Sequence, residues 1–173
     1  MFYNYVETAF SAQLYKVTPA NFQPMSEMFN LFVREGFFTP TKTNKFYFTY
    51  LLALKNEIMK TSKDTTKKQI TADNLIGITW SMMAMETPGH LSTPLLPKLF
   101  EELYSFERPN KPLTKHELIQ LHQINSYIDD AISAGAIPEN FNGVIPRKVQ
   151  ALAADAYIEW DQPLYMDVQK DIA

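Results

Sequence analysis

Hydrophobic positions recur along this chain at intervals of three and four, the spacing that lines side chains along one face of an α-helix. The pattern is plainest between Leu113 and Gly135, where Leu118, Leu121, Asn125, Ile128 and Ile132 fall 3, 4, 3 and 4 apart. Both ends of that helix are marked. Thr114 and Glu117 stand at the spacing of a capping box, in which the hydroxyl accepts from the N–H three residues on and the carboxylate accepts from the N–H of the Thr. Leu113 and Leu118 can staple the entry. Gly135 can take the left-handed conformation that closes the exit.

Six further segments carry the same period. Phe2 to Val17 puts Phe2, Val6, Ala9, Phe10, Gln13 and Val17 on one face, and Pro19 ends it. A helix after Pro24, with Ser26 as cap, would bury Met25, Met28, Phe29, Phe32 and Val33 and close at Gly36. The connection Phe37-Phe38-Thr39-Pro40 is apolar enough to tuck against the body. A third helix, about 43–60, packs through Tyr47, Tyr50, Leu51, Leu54 and Ile58, and a Lys/Thr-rich loop follows to Gln69. Ile70 and Leu75 would staple a fourth around Thr71 as cap, running through Ile76, Thr79, Met82 and Met83 until Thr87-Pro88-Gly89 stops it. Thr93-Pro94 starts a short fifth with Leu96, Leu99, Phe100 and Leu103 inward. Beyond Gly135, Pro146 opens a last helix with Val149, Leu152, Ala153, Ala156, Tyr157 and Trp160 on its face, and Pro163 ends it.

No segment sustains the two-residue alternation of a half-buried strand. Phe46-Tyr47-Phe48-Thr49-Tyr50 has strand propensity, but its helical pattern continues to Ile58. The expected fold is therefore all-α, a single-domain helical bundle of about seven helices over 1–173. Leu164, Tyr165, Met166 and Val168 give the tail, 164–173, apolar groups with which to dock, the rest being partly flexible.

Composition narrows the chemistry. The 173 residues suffice for one domain with a substantial core. The absence of cysteine excludes disulfides, thiolate metal ligands and a Cys nucleophile. Met1 to Phe10 carries Glu7 and no base, unlike a signal or transit peptide. The longest apolar run, Leu75 to Met85, is well short of the ~20 residues of a membrane span. These features point to a cytoplasmic protein with no membrane partner. Abundant Phe, Tyr, Lys and Asn beside only three Arg is what an AT-rich genome yields, which points to a phage or other viral origin and so to the host cytoplasm.

The net charge of −3 is unevenly spread, with seven Lys against Glu57 and Asp64 over 41–70 and twelve acids against six bases over 100–173. Lys42, Lys45, Lys63, Lys67 and Lys68 stand near Phe46, Tyr47, Phe48 and Tyr50, and lysines for phosphate beside rings for base stacking can hold single-stranded nucleic acid. Against this, Tyr47, Tyr50, Leu51, Leu54 and Ile58 are a sufficient core stripe, and Arg, the better phosphate ligand, is scarce.

Catalytic arrangements are not visible. His116 and His122 are six apart and cannot share a metal from one helix face, and His90 is remote in sequence. His122, Ser126 and Asp129 share a face, but one regular helix supplies neither an exposed, strained nucleophile nor an oxyanion hole. The pairs Glu101-Glu102 and Asp129-Asp130 diverge by about 100° on a helix, so each is two surface charges. No glycine-rich phosphate loop is present, and no catalytic residue, metal or cofactor is expected. Asn125 inside an apolar stripe is the kind of residue that fixes helix register, within or between subunits. Trp80 with Met82, Met83 and Met85 can form an adaptable contact surface, and Tyr165 another. The expected function is a non-enzymatic helical interaction or assembly protein acting on a protein partner or on itself. The alternative is nucleic-acid binding through 41–70, and the third an enzyme of unknown reaction.

Overall fold

A computed structural model describes residues 17–41, 45–61, 63–64, 67–86, 89, 91, 94–104, 108 and 111–158. The expected first helix over 2–17, apart from Val17, and the tail with Trp160 and Tyr165 lie outside the described residues, as do Lys42 and His90. Six helices follow in order: α1 Phe22–Arg34, α2 Lys45–Ile58, α3 Leu75–Ala84, α4 Leu95–Tyr104, α5 Lys115–Ser133 and α6 Arg147–Ile158. A single 3₁₀ turn, Glu139–Phe141, lies between α5 and α6. The fold is all-α, and there is no strand among the described residues.

The centre is α3, whose residues are all buried except Gly77. It is apolar on every side, as a helix must be when neighbours surround it, and it packs against α1, α4 and α5. The strongly marked helix α5 lies between α3 and α6. Its capping box is formed: the Glu117 N–H donates to Thr114 Oγ1 at 3.2 Å and the Thr114 N–H to Glu117 Oε2 at 2.8 Å. Gly36 and Gly135, with φ of 71° and 72°, close α1 and α5 in the left-handed region that favours glycine. Thr114→Ala should lower stability by about 1 kcal/mol in urea unfolding without loss of helix elsewhere, since the other cap partner, Glu117, stays anchored.

Several facing expectations are corrected. Ser26 does not cap α1, which begins at Phe22 and takes Pro24 into its first turn, where the missing N–H has no intrahelical partner to lose. Ser26 instead sits inside the helix, donating to the Phe22 carbonyl at 2.9 Å and accepting from Tyr50 Oη at 2.8 Å. Thr71 is not the cap of α3; Asn74 holds the preceding turn by accepting from the Thr71 N–H at 2.8 Å. In α5 the buried arc runs through Gln120, Leu121, Gln123, Ile124, Tyr127, Ile128 and Ala131. Helices press on α5 from two sides, so the arc is wider than the single stripe the sequence displays, and Asn125 falls at its margin. Leu152 of α6 faces solvent, while Ala153 and Ala156 face inward.

Phe38 in the connection after α1 is buried, and with Phe29, Phe32 and Phe46 it forms a cluster of rings 5.5 to 6.3 Å apart. Tyr50 stacks on Phe29 at 4.7 Å from the other side. Five of the aromatic residues, Phe29, Phe32, Phe38, Phe46 and Tyr50, thus serve to join α1 to α2.

Candidate functional site

Two surfaces stand out once the core is assigned. The first is the outer face of α2. Its inner face buries Phe46, Tyr47, Tyr50, Leu54, Glu57 and Ile58. Opposite runs a second stripe, Lys45, Phe48, Leu52, Lys55 and Met59, again at spacings of 3, 4, 3 and 4. Met59 lies one residue past the helix but keeps its pattern, its N–H donating to the Lys55 carbonyl at 3.1 Å. Phe48, Leu52 and Met59 are 60%, 61% and 65% exposed, the reverse of what the core preference of such residues leads one to expect. Lys45 and Lys55 interrupt this apolar line, and exposed Lys63 and Lys67 follow it in the chain.

The same geometry locates the lysines and rings of 41–70. Phe46, Tyr47 and Tyr50 are buried, so of those four aromatics only Phe48 faces outward. Burial raises the ionisation of Tyr47 and of Tyr50 above the usual tyrosine range, so both stay neutral. Lys60 pairs with the buried Glu57, and Lys68 with Glu102 on α4. Glu57 also accepts from the Gln69 N–H at 2.8 Å, so this carboxylate ties the polar loop back to α2.

The second surface is a polar cleft of about 180 Å³ between α1, the start of α3 and the first turns of α5. Gln23, Ser26, Glu27 and Asn30 line it from α1, Asp73, Asn74, Gly77 and Ile78 from α3 and its entry, and Glu117 and Gln120 from α5. Asn30 Nδ2 donates to the Gly77 carbonyl at 3.1 Å and to Ser81 Oγ at 2.9 Å, bonds that join α1 to α3. Gln23 links Asn74 to Glu27 through its two ends. At the rim Arg108 grips Glu117 with two bonds of 2.8 and 2.6 Å, and Asp73 lies 3.6 Å from Arg108 and 3.2 Å from Lys111. That guanidinium, aided by the Thr114 bonds, holds the Glu117 carboxyl down at about 2.

The other singled-out residues are dispersed. Trp80 is fully buried, its indole N–H donating to Gln123 Oε1 at 2.7 Å, and Met82, Met83 and Met85 are buried with it, so this group is core and presents no contact surface. Asn125 is half-buried and reaches Asp129 Oδ2 at 3.4 Å, at the long limit of a hydrogen bond. His122 stacks on Tyr157 at 4.5 Å, and the Ser126 hydroxyl donates to the His122 carbonyl at 3.2 Å. Among the described residues no group of three His, Asp or Glu side chains is placed to hold a metal ion, and no helix is long and apolar enough to cross a membrane.

The chain matches no protein-family model, no curated protein and no solved structure. Function must therefore be argued from these two surfaces.

Proposed function

We propose that this chain is a non-enzymatic helical interaction protein whose working surface is the outer face of α2, docked by an amphipathic helix with acidic flanks. The observation that carries this is the row Phe48, Leu52 and Met59, three large apolar side chains more than half exposed along one line. Scattered exposed apolar residues need no explanation, but several large ones along one helix face are a cost in water that a partner helix relieves. A stripe at helical spacing is complementary to a second helix bearing the same spacing, the helix-in-groove mode of recognition. Charge selects the partner's sign. Lys45 and Lys55 lie in the row, whereas the one acid within α2, Glu57, is buried and turned to Lys60.

The test uses fluorescent amphipathic peptides with Leu at helical spacing, flanked either by Glu or by Lys. The Glu-flanked peptide should bind saturably and the Lys-flanked one should not. Phe48→Glu with Leu52→Glu should weaken binding by about thirtyfold, the factor that corresponds to the ~2 kcal/mol of a contact hot spot. Equal binding of both peptides, or a double variant that binds like the parent, would overturn the proposal. Sedimentation of the chain alone completes the test: concentration-dependent association abolished by the same double variant would identify the partner as a second copy.

A further inference from the structure

We propose that the cleft between α1, α3 and α5 is a binding site for the carboxamide group of a small ligand of neutral or positive charge. The observation behind this is Gln120. It lines the cleft, is only 2% exposed, and its Nε2 has no hydrogen-bond partner among the described residues. Buried polar side chains are nearly always bonded, and one left alone destabilises the fold that contains it. A carboxamide is both donor and acceptor, so whichever way the planar group is turned, its complement must offer one of each. Asn30, whose Nδ2 is committed to Gly77 and Ser81, offers its carbonyl oxygen as a further acceptor on the same cleft.

The lining excludes the simpler ligand classes. An anion would accept from Gln120 but meet Glu27, Asp73 and Glu117, of which only the last two have Arg108 or Lys111 beside them. An ammonium or guanidinium group has donors alone and leaves the Gln120 N–H groups unanswered. Sugar hydroxyls offer both, but among the described residues the only large apolar side chain on the lining is Ile78, and none of them offers a ring on which a sugar could rest. A carboxamide pairs with Gln120 through two parallel bonds. A positive charge next to it would be drawn to Glu27, which is exposed at the α1 side.

Titration of the whole chain with acetamide, glycinamide, methylammonium and acetate, read by NMR from the Gln120 side-chain NH₂ signals in the parent and from the Gly77 and Ile78 backbone amide signals in the parent and every variant, tests this. Both amides should shift those signals saturably, with dissociation constants on the order of millimolar for ligands of so few atoms. Glycinamide should bind more tightly, and methylammonium and acetate should produce no saturable shift. Gln120→Met should abolish binding of both amides while the urea midpoint stays at or above that of the parent. Glu27→Gln, which removes the charge and keeps the length of the side chain, should remove the advantage of glycinamide over acetamide. Absence of a saturable shift with either amide at ~0.1 M, far above the expected constants, would overturn the site. So would methylammonium or acetate binding as well as the amides do, or amide binding that survives in Gln120→Met.

Discussion

Trp80→Ala should lower the stability of the chain by about 3–5 kcal/mol, a fifth or more of the ~5–15 kcal/mol that holds a typical domain folded. Trp80 is the largest fully buried side chain, and it sits on the helix that α1, α4 and α5 all touch. A cavity there cannot be closed by one neighbour moving in, because each neighbour is held by the others. The loss also removes the 2.7 Å bond from the indole N–H to Gln123 Oε1 in a buried position, which adds the cost of a lost buried hydrogen bond. Trp80→Phe separates the two effects, since it keeps most of the volume and removes the N–H. Urea unfolding of both variants gives the answer: a Trp80→Ala change below about 1 kcal/mol would mean that α3 is not the centre of the core.

Local rules were legible in the sequence where they could be satisfied locally. The capping box at Thr114 and Glu117 and the glycine closures at Gly36 and Gly135 are written within a few residues of each other, and the fold contains all of them. Facing was less legible. Helix α2 has two stripes at helical spacing, and the sequence alone favours the one through Tyr47, Tyr50, Leu51, Leu54 and Ile58, of which Leu51 is only half-buried. That choice is right, yet a helix hydrophobic on two sides leaves Phe48, Leu52 and Met59 of the second stripe more than half exposed. The double pattern in Lys45–Met59 was the available signal for the exposed row. Ser26 misled because a serine after a proline resembles a cap, whereas its hydroxyl is used by Tyr50, 24 residues on. Asn125 lies at the margin of the buried arc rather than within it because α5 is covered from two sides, which sequence periodicity does not report.

The polar cleft had no local signature. Gln23, Asn30, Asn74, Gly77, Glu117 and Gln120 come from three distant stretches, and each taken singly is an ordinary polar residue of a helix or turn. Only the crossing of α1, α3 and α5 gives them a common wall. The orphaned Nε2 of Gln120 likewise exists only once Leu121 and Ile124 have turned α5 toward the core.

Glu117→Ala should cost about 3–5 kcal/mol at neutral pH, far more than the cap alone accounts for. The carboxylate closes the capping box and also accepts both bonds of the Arg108 fork. The Arg108 side chain is 7% exposed, and without Glu117 its remaining ionic partner is Asp73 at 3.6 Å. A buried guanidinium deprived of its bidentate acceptor is the costly half of a broken pair. The same bond makes stability depend on acid. Arg108 first, then the Thr114 bonds, hold the folded carboxyl at about 2 against 4.5 for the free group. A depressed folded value means that the contribution is complete above the unfolded value and is lost as pH falls through the folded one. The window therefore runs from about pH 5 down to about pH 2. Solvent near the rim reduces the gain to about 1–2 kcal/mol. Glu117→Gln keeps the shape and cannot titrate, so the difference in urea midpoint between it and the parent should be largest at neutral pH and shrink across that window. A difference that stayed constant from pH 7 to pH 2 would show that the Arg108–Glu117 pair does not carry this linkage.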